Sequence, residues 1–126
     1  MTLAPYDWVH QTYEELRGTI LFCSIFDSVS EQLELLFYYK ADVPTFKSRL
    51  VFKNSDLVYL VASDGTFDIK KIPTLFHMRV RHSLFEGILI EPGEILLYLK
   101  NLNNNLVSST LVIKVFNTEH AILFDH

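Results

Sequence analysis

The stretch that decides the fold runs from His77 to Phe116 and reads HMRVRHSLFEGILIEPGEILLYLKNLNNNLVSSTLVIKVF. Three runs of apolar, β-branched and aromatic residues are separated by turn residues, a pattern that predicts an antiparallel meander. Glu91-Pro92-Gly93-Glu94 fits a type II turn, because proline presets φ at the second position and glycine supplies the positive φ at the third. Asn103-Asn104-Asn105 is predicted to close the next hairpin, since asparagine tolerates the left-handed region.

Upstream of this meander, one segment shows a clear helical pattern and one is ambiguous. Pro5 to Arg17 is predicted to be a helix, because apolar residues recur at helical spacing and Gly18 follows as a stop signal. Ser28 to Lys40 combines a capping box and a helical stripe with a strand-like alternation of Leu33, Leu35, Phe37 and Tyr39. We favour the helix for this segment and keep the strand as the alternative.

The remaining segments carry short strand patterns separated by turn residues. They are Thr19–Phe26, Ser48–Lys53, Asp56–Ala62, Thr66–Lys71 and, at the tail, His120–Phe124. The whole chain, residues 1–126, therefore predicts one α+β domain. In it, one or two N-terminal helices pack on a curved antiparallel sheet of six to seven strands. The alternative is a β-sandwich with one N-terminal helix, if Ser28 to Lys40 is a strand.

Composition excludes several classes of protein. Apolar residues make up 49% of the chain and aromatic residues 13%, which excludes intrinsic disorder. The single cysteine, Cys23, excludes an internal disulfide and a cysteine-based zinc site. The first residues show neither a basic start nor a long apolar core, and no apolar run reaches membrane-spanning length. We therefore expect a cytoplasmic protein with no membrane contact.

Charge is unevenly distributed along a chain whose net charge is −4. Overall acidity argues against non-specific binding to nucleic acid, because such binding depends on neutralising phosphates. Residues 47–81 nevertheless carry seven bases and only three acids. This net-basic segment is the part of the chain in which an acidic partner or an anion is expected to bind.

Four bases near the end of that segment form the candidate anion site: Lys70, Lys71, Arg79 and Arg81. On a strand, Arg79 and Arg81 project from one face, and two adjacent guanidinium groups can hold a carboxylate or a phosphate. The alternative is a solvated strand face whose bases pair with acids on a neighbouring strand.

An enzyme is the alternative functional class. A curved sheet backed by helices can enclose a cone-shaped cavity, in which Asp68 and His82 are the candidates for an acid–base pair. His77 and His82 are an odd number of residues apart, so a strand directs them to opposite faces and no metal site is predicted. No phosphate loop, dinucleotide fingerprint or nucleophile elbow is present, and no cofactor is predicted.

Two strands of the meander are apolar on both faces, and they carry the functional prediction. The candidate interface residues are Leu96 and Tyr98 on one strand with Val112 and Phe116 on the next. The meander can cover only one of its own faces, so the other is expected to meet a partner. We therefore predict a non-enzymatic protein–protein interaction module, such as an assembly subunit, an adaptor or a small inhibitor or immunity-type protein, with a protein partner or a second copy.

Overall fold

The computed structural model describes residues 5–39, 45–53, 57–101, 109–116 and 120–125. This part of the chain contains two helices and nine strands, in an α+β arrangement. The helices are α1 (Pro5–Leu16) and α2 (Pro73–Val80). The strands are β1 (Thr19–Asp27), β2 (Gln32–Tyr39), β3 (Phe46–Lys53), β4 (Leu57–Ala62), β5 (Gly65–Asp68), β6 (Ser83–Glu91), β7 (Glu94–Asn101), β8 (Ser109–Phe116) and β9 (His120–Asp125).

The strands form one antiparallel sheet in the order β5-β4-β8-β7-β6-β1-β2-β3-β9. This confirms the predicted α+β class with an antiparallel sheet. The predicted count of six to seven strands is too low, and the two-sheet sandwich is wrong because all the described strands belong to a single sheet. The predicted turn between β6 and β7 has Gly93 at φ of 77°, as a type II turn requires. The predicted Asn103–Asn105 hairpin lies outside the described residues.

The helix prediction for Ser28 to Lys40 is wrong, because residues 32–39 form strand β2. Leu33, Leu35 and Phe37 are fully buried, while the residues between them are less so. β2 lies between β1 and β3 and pairs with both, so its backbone groups are bonded on two sides. The apolar and aromatic residues of this segment favour a strand, because they pack against the neighbouring strands β1 and β3. This preference outweighs the local capping signal for a helix.

The strand prediction for residues 77–81 is also wrong, because α2 covers residues 73–80. Pro73 occupies the first turn, where its missing N–H costs nothing. Phe76 and Val80, four residues apart, are fully buried, whereas Met78 between them is 64% exposed. A strand would have placed all three on one face; a helix separates Met78 from the other two.

The sheet curls back on itself. In the β3–β9 pair, Lys53 lies opposite His120, and in the β4–β8 pair, Leu57 lies opposite Phe116. Four residues forward along one side correspond to four residues back along the other. The second pair of strands therefore continues the antiparallel register of the first. Three residues connect β3 to β4, and such a link spans at most about 14 Å. Yet β3 and β4 lie near opposite ends of the strand order. The two ends of the sheet are therefore held close together.

One face of the curled sheet, here called the inner face, supplies the hydrophobic core. Alternate residues from strands at both ends of the order, such as Leu50 of β3 and Leu60 of β4, belong to the same buried cluster. Both helices contribute to it, α1 through Leu16 and α2 through Phe76. The helices thus pack on the inner face, and the opposite face is called the outer face below.

A bulge in β1 changes which residues of that strand face the core. The register shifts between Leu21 and Cys23, so that Ser24 pairs with Leu35 of β2. Leu21 is fully buried, whereas Cys23 is only half-buried, because the bulge places the two residues on opposite faces of the sheet. Helix α2 contacts β1 just beyond the bulge, where His77 Nδ1 accepts a hydrogen bond from the Ser24 N–H at 3.3 Å.

Helix α1 is fixed to β3 by a small polar network around Glu15. Lys47 Nζ lies 2.7 Å from Glu15 Oε1, and Ser48 Oγ donates to the same oxygen at 2.8 Å. The hydrogen bond from Lys47 lowers the pKa of the Glu15 carboxyl below its ordinary value of 4.5, against the opposing effect of burial and with help from Ser48. The ionised carboxylate is therefore the form that joins helix and strand.

Replacing Glu15 with glutamine is expected to cost about 1 kcal/mol of folding free energy at pH 7. Because the folded pKa of Glu15 is depressed, its contribution is complete above the ordinary pKa of 4.5 and is lost as pH falls through the folded value. Urea unfolding at pH 7 and at several pH values below 4.5 measures both effects. Glu14→Gln is the matched control, because Glu14 is about half exposed and its Arg17 partner is 3.8 Å away. Equal losses in both variants would contradict a special role for Glu15.

Candidate functional site

The four predicted interface residues come together on the outer face. Tyr98 of β7 is paired directly with Val112 of β8, and Leu96 and Phe116 lie on the same face of these two strands. Their sequence neighbours on the inner face, such as Leu97 and Ile113, are fully buried in the core. The β7–β8 register therefore assembles the interface residues into one surface.

Strands β4 and β6 enlarge this surface with apolar residues that were not predicted. Leu57, Tyr59 and Val61 of β4 pair with Phe116, Lys114 and Val112 of β8, and Leu89 of β6 pairs with Leu96 of β7. The rings of Tyr59 and Phe116 meet almost at right angles, 5.9 Å apart. We call the combined surface the outer patch. Its members are Leu57, Tyr59, Val61, Leu89, Leu96, Tyr98, Val112 and Phe116.

The outer patch is exposed to different degrees across its width. Leu57 is 38% exposed and Leu89 is 43% exposed, while Leu96 between β6 and β8 is only 7% exposed. The helices leave the patch uncovered in the described part of the chain, because the residues that α1 and α2 bury belong to the inner core. The patch therefore has an already packed centre and accessible apolar margins.

On β7 and β8, three charged residues lie within or beside the patch. Glu94, Lys100 and Lys114 project from the outer face of β7 and β8, and all three are half-buried. Lys114 is paired directly with Leu96 on one side and with Tyr59 on the other. None of the three has an ion-pair partner among the described residues.

Arg79, predicted to bind an anion, is instead paired within the protein. Its Nη1 donates to Asp64 Oδ2 at 3.0 Å and its Nη2 to Asp64 Oδ1 at 2.7 Å. The guanidinium carbon also lies 5.2 Å from the centre of the Phe67 ring. The hydrogen bonds from Arg79 lower the pKa of the Asp64 carboxyl. Arg79 therefore joins α2 to the β4–β5 hairpin.

The other predicted anion-binding residues are directed elsewhere. Arg81 follows α2 and lies over the Phe22 ring of β1, 5.5 Å from its centre. Lys70 is 3.5 Å from Glu31 in the β1–β2 turn, and Lys71 is exposed. The shared strand face on which the anion-site prediction depended does not exist, because residues 73–80 are helical.

The candidate acid–base residues, Asp68 and His82, are not in the core. Asp68 pairs with Tyr59 on the outer face, and its Oδ1 accepts a hydrogen bond from the Lys70 N–H at 2.9 Å. His82 has a φ of 65°, and its backbone N–H donates to Leu21 O at 2.7 Å. Its ring lies nearly perpendicular to the Phe22 ring, with 5.5 Å between the two ring centroids. Both residues have local structural partners.

A half-buried row of rings crosses the outer face on the other half of the sheet. Phe22 lies 4.5 Å from Tyr38, and Tyr38 lies 5.9 Å from Phe46. His82 and Arg81 also contact the Phe22 ring. The rings meet at steep angles, so they pack against one another rather than present a flat stacking platform.

The inner core contains no charged side chain among the described residues, since its buried polar residues are threonines and serines. Trp8 Nε1, Thr12 Oγ1 and Ser83 Oγ are buried there without a hydrogen-bond partner in the described part of the chain. No group of three or more possible metal ligands occurs in residues 5–39, 45–53, 57–101, 109–116 and 120–125. In the same ranges, neither helix has the length and apolar character needed to cross a membrane.

Comparisons with known proteins give no relative from which a function could be transferred. Neither a protein-family model, nor a curated protein, nor a solved structure matches the chain. The contacts, burial and charges of the described residues are therefore the basis for any functional proposal.

Proposed function

We propose that the chain is a non-enzymatic protein-binding module that uses the outer patch. The observation that supports this is the contiguous apolar surface on the outer face of β4, β8, β7 and β6, which the described parts of the two helices leave uncovered. An antiparallel sheet with one solvated face normally alternates apolar and polar residues. Residues 96, 98, 112 and 116 break that rule by placing apolar side chains outward from two neighbouring strands.

The composition of the outer patch suits a protein partner. It contains three aromatic residues, Tyr59, Tyr98 and Phe116, and five aliphatic residues, which together surround Lys114. Aromatic residues are enriched in the cores of protein interfaces, and charged residues are depleted there. Contiguous exposed apolar patches mark binding sites far more often than scattered apolar residues do. An assembly subunit, an adaptor and a small inhibitor or immunity-type protein all use a surface of this kind.

The alternative, a small cavity enzyme or ligand carrier with Asp68 and His82 as acid and base, has less support. Both residues have local partners outside the core, and Asp68 lies on the outer face of β5. A general acid and base must lie within hydrogen-bond reach of a bound substrate. Two residues held apart from the core do not line a common interior site.

Replacing Leu89 with aspartate is expected to weaken partner binding by at least roughly tenfold, because it places a charge on the apolar surface that the partner must cover. Partners are identified by affinity capture from the source cell, and the affinity of each purified complex is then measured by calorimetry. Because Leu89 is 43% exposed, the variant should fold normally. Thermal unfolding checks this directly.

The matched control is Ile25→Asp, an identical kind of change at a residue that is 49% exposed on β1, away from the patch. Binding by this variant should equal that of the natural chain. If Leu89→Asp and Ile25→Asp bind equally well, or if both weaken binding equally, the outer patch is not the binding surface.

A further inference from the structure

We infer that the partner of the outer patch is a second copy of this chain, docked face to face across a two-fold axis. The axis runs perpendicular to the strands and passes between Leu96 and Tyr98 of β7. This inference rests on the proposed function, since it names the partner for the same surface. Two observations support it: the order of the charged residues along β7, and the outward shape of the neighbouring strand β6.

The outward residues of β7 form a row with opposite charges at its two ends. The row is therefore complementary in charge to the same row of a second copy that runs in the opposite direction. In chain order they are Glu94, Leu96, Tyr98 and Lys100, that is, acid, aliphatic, aromatic and base. A two-fold axis at the middle of this row places Glu94 of each copy opposite Lys100 of the other copy. Leu96 then faces the second copy's Tyr98. Both charges, which lack an ion-pair partner among the described residues, gain one in the dimer.

Charge also selects between the two ways of stacking this face on itself. An axis parallel to the strands would set Glu94 on Glu94 and Lys100 on Lys100, and like charges juxtaposed at an interface are unfavourable. The perpendicular axis avoids this. Aligned sheets cross at about 30°, which displaces residues that lie about 10 Å from the axis by roughly 5 Å sideways. Glutamate and lysine side chains are long enough to meet across that offset.

Strand β6 provides a matching protrusion and recess. Leu89 projects from the outer face and is 43% exposed, while Gly87, two residues earlier on the same face, has open space where a side chain would be. The same axis brings Leu89 over Gly87 of the second copy, twice by symmetry. On β8, the same axis places Lys114 opposite Val112 of the second copy and next to Tyr98 of the second copy. The ring face or the hydroxyl group of that tyrosine can bind the lysine ammonium group.

Charge exchange along β7 tests the geometry without disturbing the core. We expect the natural chain to dimerise in analytical ultracentrifugation. Glu94→Lys and Lys100→Glu alone should each weaken the dimer by at least tenfold, because each makes both charge pairs repulsive. The double variant Glu94→Lys/Lys100→Glu should recover the affinity to within about threefold. An equimolar mixture of the two single variants should dimerise as well as the natural chain, because every pair across the axis is again opposite in charge.

The mixing result separates contact between copies from any effect within one copy, since an internal defect cannot be repaired by a second chain. Lys71→Glu is the control of equal charge change, at an exposed residue away from the patch, and it should leave the dimer unchanged. A dimer that responds to none of the β7 variants, or a mixture that stays as weak as its components, overturns the inference.

Failure of the second copy as partner is distinguishable from failure of the proposed function. If the natural chain is monomeric up to roughly 100 μM while Leu89→Asp still abolishes binding to a different captured protein, the inference is overturned and the binding role of the patch stands. If the chain is monomeric and Leu89→Asp changes no binding, both are overturned.

Discussion

Replacing Leu35 with alanine is expected to destabilise the protein by about 2–5 kcal/mol, whereas the same replacement at Leu36 should cost about 1 kcal/mol. Leu35 is fully buried and belongs to the inner core, so alanine leaves a cavity among its neighbours. Leu36 faces outward, opposite Arg49 of β3, and is only half-buried. Leu35 and Leu36 are adjacent in the chain, but their side chains project from opposite faces of the sheet.

Urea unfolding of the two variants and the natural chain, followed by circular dichroism, gives the two differences in free energy. The result also decides the structure of this segment. In a helix, Leu36 would belong to the buried apolar stripe, together with Val29, Leu33 and Phe37. Leu35 would lie outside that stripe and would be less buried than Leu36. A larger loss for Leu36→Ala than for Leu35→Ala would therefore contradict strand β2.

The ambiguity of residues 28–40 could not be removed from local sequence, for a physical reason. A capping box is a real helix-starting signal, and Ser28 with Glu31 supplies one. In the fold, residues 28–31 form the β1–β2 turn instead. Asp27 Oδ1, at the end of β1, accepts a hydrogen bond from the Val29 N–H at 3.0 Å, and Glu31 has a φ of 53°. The turn and the helix start use the same residue types, and only the neighbouring strands β1 and β3 select between them.

The candidate interface was predictable as a pattern but not as a complete surface. Leu96, Tyr98, Val112 and Phe116 could be identified because β7 and β8 are consecutive, so their pairing follows from the meander. Strand β4 lies far away in the chain, and its place beside β8 depends on the curl of the sheet, which no local pattern contains. That is why Leu57, Tyr59 and Val61 were missed, although they alternate with the buried residues of their own strand.

The predicted shared strand face of Arg79 and Arg81 is wrong, because secondary structure determines which bases lie side by side. Arg79 and Arg81 are neighbours on a strand face, but here one lies within α2 and the other follows its end. Arg79 reaches β5 and the hairpin before it, whereas Arg81 reaches Phe22 of β1. The two guanidinium groups are thus used to hold the helix against two different strands.

The anchoring of α2 leads to the second large expected effect. Replacing Phe76 with alanine should destabilise the protein by about 3–5 kcal/mol, because Phe76 is fully buried and is one of two α2 residues in the core. Met78→Ala should change stability by no more than about 0.5 kcal/mol, because Met78 is 64% exposed. A short helix has little stability of its own, so its position depends on these buried contacts.

The comparison of Phe76 with Met78 is informative because the two candidate structures for this segment predict different outcomes. On a strand, Phe76, Met78 and Val80 share one face, so truncating any of them should cost a similar amount. On the helix, only Phe76 and Val80 face the core. Urea unfolding of Phe76→Ala, Met78→Ala and the natural chain measures the difference directly. Similar losses at residues 76 and 78 would restore the strand, and with it the face on which Arg79 and Arg81 were predicted to lie together.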